Sequence, residues 1–251
     1  MQRFKRALHR AGTCWIAAAS STHLQSIRQH ELAMALPLLP AGCRVLELGA
    51  GTGWQAKLLA EAGYQVSAID IADSNYKEQR VWPVTDYDGM QVPFGDGEFD
   101  VVFSSNVLEH IHNRQRLDAE LHRVLKPNGR CVHIVPSGSW SLWTVLTTLL
   151  KYWRPAEPHG EHAASASAEI RVFSQAAWRQ SFIANGWDVV LHKPCRLAYS
   201  GCSIFDRRLA LSVRKLLSHV LGSSTHLFVV TPAVAERDLV CGARESATMA
   251  P

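Results

Sequence analysis

A glycine-rich turn between two apolar runs is the feature that most constrains the fold of this chain. Residues 45–48 (Val-Leu-Glu-Leu) lead into residues 49–53 (Gly-Ala-Gly-Thr-Gly), and Asp70 closes the next apolar run at residues 64–70. A buried strand, a glycine turn that opens a helix, and an acidic residue about 20 positions later are typical of a βαβ unit that holds a nucleoside. The sequence therefore predicts a nucleoside-binding domain in the first half of the chain.

The residues of this turn suit a ligand that lies close to the main chain. Gly49, Gly51 and Gly53 can adopt backbone angles closed to other residues and place no side chain between the backbone and a ligand. Asp70 is expected to accept hydrogen bonds from both hydroxyls of a ribose. Residues 51–56 (Gly-Thr-Gly-Trp-Gln-Ala) also satisfy a relaxed dinucleotide pattern. A nicotinamide-dependent oxidoreductase is therefore one alternative.

Glu47 and two later segments favour a different ligand. A carboxylate beside the turn is unfavourable for a pyrophosphate but suits a cationic ligand such as S-adenosylmethionine. The later segments are residues 87–94, YDGMQVPF, and residues 98–111, EFDVVFSSNVLEHI. With them the chain resembles the class I S-adenosylmethionine-dependent methyltransferases, in particular the type 11 group that includes ubiquinone and menaquinone biosynthesis enzymes. The resemblance covers residues 45–136 and continues more loosely to residue 232.

This resemblance implies S-adenosylmethionine as the cofactor and a set of residues that bind it. The implied cofactor-binding residues are Glu47, Gly49, Ala50, Gly51, Gly53, Asp70, Ile71, Asp88, Gly89, Ser105 and Asn106. At the adenine end, Ile71 is expected to pack on the ring, Asp88 to accept from its amino group, and Gly89 to contact the ring through its backbone. Asp70 is expected to hold the ribose.

At the other end of the cofactor, Glu47, Gly49 and Gly51 are expected to border the methionine part. Ser105 and Asn106 follow the fourth predicted strand, where this family places methionine contacts and the acceptor. Serine and asparagine also cap helices commonly, so a strand end followed by a helix cap is the alternative interpretation of this segment.

His110 is the candidate general base, with a purely structural role as the alternative. We expect no bound metal. Some quinone-pathway members of the family bind a divalent ion through Glu-x-x-Glu-His, but Asn106 stands in place of the first carboxylate. His159, Glu161 and His162 have a spacing that matches no known metal motif, and the six cysteines include no Cys-x-x-Cys pair.

The implied reaction is an in-line displacement at the sulfonium methyl group. This methyl group is already activated by the positive sulfur, so the protein mainly supplies proximity and alignment. A base is needed only where the acceptor must lose a proton. Besides the oxidoreductase, a methyltransferase-fold protein that acts as a non-catalytic partner is a second alternative.

Alternating strands and helices predict an α/β fold, a doubly wound, mostly parallel sheet of seven strands with an antiparallel last strand. Residues 54–62, 114–125 and 203–221 are predicted helices, and residues 131–135 and 225–231 are predicted strands. We divide the chain into an amino-terminal helical segment (1–40), the methyltransferase domain (41–233) and a polar tail (234–251), which is expected to be disordered.

Residues 137–170 are predicted to form an apolar helical insertion on the acceptor side of the domain. Its apolar run, residues 139–153, is shorter than the roughly 20 residues that span a bilayer. Three interpretations remain open: a core helix, a lid over the acceptor, and a membrane-surface helix giving peripheral contact. The predicted lid residues are Trp140, Trp143, Leu146, Tyr152 and Trp153. The expected acceptor is a small molecule, or a lipid- or glycan-linked group, with an apolar portion.

Charge and cysteine content bound the partners and the compartment. The net charge of +4 is mild, and no basic stripe alternates with aromatic residues, so a nucleic-acid partner is disfavoured. The first thirty residues lack Asp and Glu, as a transit or signal peptide would, but the apolar run at residues 11–19 is weak and favours an amino-terminal helix. Scattered single cysteines fit a reducing compartment, so a cytoplasmic location is expected.

Overall fold

The computed structural model describes residues 21–160, 163–202 and 209–233. The helices in these ranges are α1 (Ser21–Ala35), α2 (Trp54–Glu61), α3 (Arg114–Val124), α4 (Gly138–Tyr152), α5 (Ala166–Val172), α6 (Gln175–Ala184) and α7 (Leu211–Leu221). The strands are β1 (Arg44–Leu48), β2 (Gln65–Ile71), β3 (Thr85–Tyr87), β4 (Phe99–Ser105), β5 (Leu125–Pro136), β6 (Trp187–Pro194) and β7 (Thr225–Pro232). The expectations for residues 1–20 and for the tail lie outside the described residues.

The strands form one sheet in the order β3-β2-β1-β4-β5-β7-β6, and β7 runs antiparallel to both of its neighbours. This arrangement confirms the predicted doubly wound, mostly parallel sheet. Strand β1 lies between β2 and β4, with Glu47 opposite Ala68 on one side and Phe103 on the other. The strand order reverses between β1 and β4, which is where ligands of doubly wound sheets bind.

The core lies on both faces of the sheet because successive residues of a strand point to opposite sides. In β1, Val45 packs in a cluster with Leu59, whereas Leu46 packs in the cluster that includes Leu121 and Trp178. A strand that is covered on both faces is apolar at nearly every position, which explains why Val45, Leu46 and Leu48 are all apolar.

Two elements begin several residues away from their predicted first residues. Strand β5 begins at Leu125 rather than Cys131, because Leu125 already pairs with Phe99 of β4 before a register shift. Helix α7 begins at Leu211, so the described part of the predicted 203–221 helix is shorter. Residues 203–208 lie outside the described residues.

Helix α4 occupies the predicted apolar run, but several of its hydroxyl side chains face the core and several of its leucines face outward. Ser137 caps its amino end by accepting from the Trp140 N–H. Its buried face carries hydroxyl side chains beside one indole, namely Trp140, Ser141, Thr144 and Thr148. Its exposed residues include Leu142, Leu146, Leu149 and Leu150. None of the helices that the structure describes combines the length and apolarity needed to cross a membrane.

Candidate cofactor and acceptor site

The glycine turn is held between the end of β2 and the segment that follows β4. The main-chain N–H groups of Gly49 and Ala50 both donate to the carbonyl of Ile69, at 2.9 and 3.0 Å. Gly49 has a φ of +69°, and a Cβ atom on it would lie 2.5 Å from Cγ2 of Val107. Only glycine meets both constraints without strain.

An aromatic ring covers the next part of the turn. Gly51 has a φ of +56°, and a Cβ atom there would lie 3.4 Å from a ring carbon of Tyr76. Tyr76 precedes a short 3₁₀ helix in a largely polar connection between β2 and β3. A lone aromatic residue in a polar stretch is a weak sequence signal, so the sequence did not predict a role for Tyr76. The structure adds Tyr76 to the residues at the turn.

Glu47 is a buried carboxyl at the end of β1. Its Oε2 atom has no hydrogen-bond partner among the described residues. The pKa of Glu47 is raised to about 8, mainly by burial; the N–H of Ala56 opposes the shift, and the nearby negative charge of Asp70 adds to it. A cationic ligand group at this carboxyl would favour the charged form. The position therefore suits an ammonium or a sulfonium.

Asp70 is a buried carboxylate fixed at the end of β2. Its Oδ1 atom accepts from the N–H of Ile71 at 2.9 Å, and its Oδ2 atom accepts from the hydroxyl of Ser74 at 2.6 Å. A ribose hydroxyl offers the same kind of donor as Ser74. The geometry is thus compatible with the predicted ribose-binding role.

At the predicted adenine end, the connections that follow β2 and β3 come close together. Gly89 has a φ of +76°, and a Cβ atom on it would lie 3.6 Å from Cγ2 of Ile71, whose side chain is exposed. Asp88 Oδ1 accepts from the N–H groups of Met90 and Gln91, both at 2.8 Å. These bonds hold the pKa of Asp88 below its ordinary value. The structure therefore brings Ile71, Asp88 and Gly89 to one place.

The chain turns sharply where β4 ends. Asn106 adopts a φ of +56°, which asparagine tolerates better than most residues, and its N–H donates to the carbonyl of Ile134 at 2.8 Å. Its side-chain amide donates to the hydroxyl of Ser105 at 3.2 Å. This turn carries Val107 onto Gly49 and so places Ser105 and Asn106 near the glycine turn.

His110 lies in a 3₁₀ helix (Leu108–His110) next to a buried carboxyl. Its Nε2 atom is 3.9 Å from an oxygen of Glu109. The ring of His159, from the connection between α4 and α5, lies with its centroid 4.8 Å from that of His110 and 4.8 Å from Trp140. The sequence separated these histidines by 49 positions, so their contact could not be predicted. Glu161 and His162 lie outside the described residues.

Glu109 and helix α1 supply charged groups that sequence reasoning missed. Neither carboxyl oxygen of Glu109 has a hydrogen-bond partner among the described residues, and burial raises its pKa to about 8. Arg28 of α1 donates to Glu31 at 2.7 Å, and Glu31 also accepts from the hydroxyls of Tyr199 and Thr225. A polar pair within a helix gives no sequence signal of such distant partners.

The five predicted lid residues do not share one environment. Trp140 is buried in the core and Trp143 is half-buried, with its indole N–H donating to the carbonyl of Leu221 at 2.8 Å. The remaining three, Leu146, Tyr152 and Trp153, are exposed. The inner part of α4 is therefore core, and only its outer part is available to an acceptor or a surface.

Comparison with known proteins agrees with this arrangement. A family profile described as a methyltransferase domain matches residues 20–192, more than half of the chain. The chain belongs to the class I S-adenosylmethionine-dependent methyltransferases. The resemblance identified in the sequence is confirmed, and S-adenosylmethionine is the cofactor that this methyltransferase family indicates.

Relatives of this methyltransferase include quinone-pathway enzymes. The chain is 33% identical over 147 residues to a demethylmenaquinone methyltransferase of Streptomyces griseus, covering 57% of this chain and 63% of that protein. It is 32% identical over 151 residues to a 2-methyl-6-phytyl-1,4-hydroquinone methyltransferase of Synechocystis, covering 53% and 45%. The matched part is thus less than two thirds of the length of both relatives.

A solved structure of similar fold is the putative methyltransferase in complex with the Trm112 methyltransferase activator of Haloferax volcanii. It has a TM-score of 0.57 and 18% identity, covering 84% of this chain and 92% of that one. At this identity the likeness shows the fold alone.

Proposed function

We propose that this protein transfers the methyl group of S-adenosylmethionine to a small-molecule or lipid-linked acceptor that carries an apolar portion. The observation that carries the proposal is the convergence of Glu47, the glycine turn, Asp70 and the neighbouring pair Ile71 and Gly89 at one edge of the sheet. A buried carboxyl with one unpartnered oxygen at the expected methionine end favours a cationic cofactor over a pyrophosphate. The nicotinamide alternative has no corresponding support.

The chemistry that fits this site is an in-line displacement. The sulfonium already activates its methyl group, so alignment of the acceptor lowers the barrier, and such alignment can contribute roughly 7–11 kcal/mol. An acceptor hydroxyl would have to lose its proton during attack, and His110 remains our candidate for that base. Its half-exposed ring lies beside Glu109 and His159.

The apolar portion of the acceptor is proposed on two grounds. The relatives named above act on demethylmenaquinone and on a phytyl hydroquinone, as their names state. In this chain, α4 follows β5 directly and turns several leucines outward on the side where acceptors of doubly wound folds bind. Both observations favour an acceptor with an apolar tail over a fully polar one.

A peripheral contact with a lipid surface extends this proposal. Trp153 is 89% exposed and Leu150 is 69% exposed at the end of α4. On α7, Leu216 and Val220 are 72% and 86% exposed, and Val213 lies on the same face. We call the exposed apolar residues of these two helices the outer apolar surface. On α4, leucines are exposed and threonines are buried, whereas contact with water normally favours the opposite arrangement. This surface therefore suits an apolar neighbour.

The charges around the outer apolar surface favour anionic lipid headgroups. Neither α4 nor α7 contains an Asp or Glu residue, whereas Lys151, Lys215 and His219 lie on them. Lys151 and Arg154 both lie close to the ring of Tyr152, with their charged groups 5.3 and 5.6 Å from its centroid. Aromatic and basic residues on an apolar surface are typical of helices that lie in the membrane interface.

The proposal is tested first by cofactor binding. Calorimetry should show that the protein binds S-adenosylhomocysteine and does not bind NAD. Replacing Asp70 by alanine removes charged hydrogen bonds and should weaken binding by about 1.5–3 kcal/mol. The matched control is Asp73→Ala, at an exposed position of the same connection. Tight binding of NAD would refute the assignment.

Transfer itself is tested with cofactor labelled in the methyl group. Incubation with lipid and metabolite extracts should place label in a solvent-extractable product. Binding of S-adenosylhomocysteine without any labelled product in lipid, polar or protein fractions would support the non-catalytic alternative instead.

A further inference from the structure

A small surface cavity lies where α7 meets the end of β6 and the start of β7. Its volume is about 240 Å³, and the described residues that line it are Pro194, Arg196, Ser218, His219 and Ser223. Sites that enclose a whole small molecule usually measure about 300–1,000 Å³, so this cavity suits one small group. We propose that it binds a phosphate group.

Arg196 supplies the positive charge of the cavity. Its side chain is exposed, and none of the described lining residues is acidic. Within the part of the chain that the structure describes, its guanidinium forms no ion pair with a carboxylate. A guanidinium binds two phosphate oxygens through parallel N–H···O bonds, which the compact ammonium of lysine does not do. This charge is therefore available to an anion.

The main chain holds Arg196 in a fixed position. Its N–H donates to the hydroxyl oxygen of Ser223 at 3.0 Å, and the carbonyl of the next residue, Leu197, accepts from the N–H of Ser224 at 2.8 Å. Arg196 also has a φ of +53°, a left-handed angle that glycine and asparagine adopt more readily. Backbone strain of this kind is concentrated at functional sites, and here it falls on the residue that carries the charge.

Helix α7 supplies two further donors. The Nδ1 atom of His219 lies 3.1 and 3.2 Å from the carbonyl oxygens of Lys215 and Leu216, so Nδ1 carries a proton, and a second proton on Nε2 would make the ring a cationic donor. The hydroxyl of Ser218 donates to the carbonyl of Lys215 at 2.7 Å and can rotate towards an anion. A phosphate would therefore meet donors from two separate elements.

The end of α7 opposes an anion, but only weakly. Ser218 and His219 lie in its last turn, where the free carbonyls are equivalent to roughly half a negative charge. The carbonyl of Leu221 is already satisfied by the indole N–H of Trp143. The full charge of the guanidinium outweighs this partial charge.

The position of the cavity favours a phospholipid as the source of the phosphate. His219 lies one helical turn from Leu216 and next to Val220, and both of these apolar side chains are exposed. A phospholipid presents its phosphate directly beside its apolar tails, whereas a soluble phosphate ester needs no apolar neighbour. The lipid source rests on the proposed function, but binding of free phosphate does not.

The first test uses the full chain and inorganic phosphate. Phosphate replaces chloride at constant pH and ionic strength, and the ring C–H signals of His219 are followed by NMR. We expect saturable shifts. Arg196→Asn removes the charge and tolerates the left-handed backbone, so it should fold and should weaken phosphate binding about tenfold or more. Lys57→Gln is the matched control, because it removes one exposed charge from α2, which packs on β2, four strands from β7.

The second test distinguishes the two sources. Vesicles of phosphatidylcholine mixed with phosphatidylglycerol are sedimented with the wild-type chain and with both variants. A headgroup source predicts that Arg196→Asn lowers partitioning about tenfold or more, that Lys57→Gln does not, and that glycerol 3-phosphate at constant ionic strength competes. Equal partitioning of all three proteins, with phosphate binding intact, would assign the site to a soluble phosphate ester.

Either of two results would overturn the site. One is the absence of saturable phosphate binding by the wild-type chain. The other is phosphate binding by Arg196→Asn that is as tight as that of the wild type, which would place the anion elsewhere. Binding of S-adenosylhomocysteine, measured on the same samples, separates a failed phosphate site from a failed cofactor assignment.

Discussion

The indole N–H of Trp143 donates a hydrogen bond to the main-chain carbonyl of Leu221, at 2.8 Å. Leu221 is the last residue of α7, so this bond satisfies one of the carbonyls that a helix end leaves unpaired. Immediately beyond it, Gly222 has no room for a side chain against Ser139 at the start of α4. The two helices that carry the outer apolar surface therefore meet at one end.

Replacing Trp143 by phenylalanine keeps most of the ring and removes the donor. We expect the free energy of unfolding to fall by about 0.5–1.5 kcal/mol, which is the usual net contribution of one hydrogen bond. Denaturant titration measures the loss, and Trp153→Phe, at an exposed position, serves as the control with no expected change. A loss near that of a large aromatic truncation, about 3–5 kcal/mol, would show instead that the indole is core.

The outer apolar surface should bind lipid vesicles. We expect sedimentation with vesicles that contain phosphatidylglycerol and weaker sedimentation with pure phosphatidylcholine, because the basic side chains add attraction to anionic lipid. Leu150→Glu and Leu216→Glu each remove one large apolar side chain from the contact, whose burial is worth about 1.5–3 kcal/mol. Each should therefore lower the partition coefficient about tenfold or more.

Ile183→Glu is the matched control for the vesicle experiment, because Ile183 is also exposed but lies on α6. An equal loss of binding in this control would show that net charge, not the outer apolar surface, governs the interaction. Absence of vesicle binding by the wild-type chain would remove the membrane part of the proposal while leaving methyl transfer untouched.

Gly49 should tolerate alanine much less well than Gly42 does. Both have positive φ, +69° and +67°, so both pay roughly 1–2 kcal/mol for a left-handed alanine. Only Gly49 faces a neighbour, Val107, whereas a Cβ atom on Gly42 meets nothing within 4 Å. Thermal melting of the two single variants and of Gly49→Ala/Val107→Ala checks this. If the double variant recovers no stability relative to Gly49→Ala, the clash is not the cause.

His133 should make the fold sensitive to mild acid. It is fully buried in β5, with Nδ1 2.8 Å from the Ser104 hydroxyl and its ring stacked on Phe182. Burial, together with the smaller effect of the charge of Arg114, lowers the pKa of His133 to about 3. Below pH 6.5 this histidine becomes protonated in the unfolded chain but stays neutral in the folded chain, so the free energy of unfolding decreases as the pH decreases. Between pH 6.5 and pH 5 the loss should be about 2 kcal/mol.

Denaturant titrations at several pH values measure this dependence. His133→Leu combined with Ser104→Ala should reduce the slope below pH 6.5, whereas His219→Leu on the exposed face of α7 should leave it as it is. An unchanged slope in the double variant would assign the acid sensitivity to other groups.

The β1–α2–β2 unit and the placement of Asp70 could be predicted because their signals are local. A continuous apolar strand, a glycine turn and an acidic strand end lie within 30 residues, and each has one structural solution. Asp88 and Gly89 followed from the family resemblance. The described ends of α2 and of β7 also lie close to the predicted ones.

The rest of the site depends on contacts between distant segments. The pattern of α4 indicated a helix, but not that its threonines would face inward, since a hydropathy pattern normally places leucine inside. His159 meets His110, and Glu31 meets Thr225, only through the tertiary fold. No spacing within one segment carries that information, so these two contacts were not predicted.

The position of β7 in the sheet also sets an order of events during synthesis. This strand is the last of the seven to leave the ribosome, yet it lies between β5 and β6. Until Thr225–Pro232 has emerged, β5 has one unpaired edge and β6 has no pairing partner in the sheet, and unpaired edges invite association with other chains. A chain that stalls before residue 225 would therefore expose unpaired edges of β5 and β6 while strands β1 to β4 are already complete. Nascent chains of this protein should depend on chaperones most in that interval.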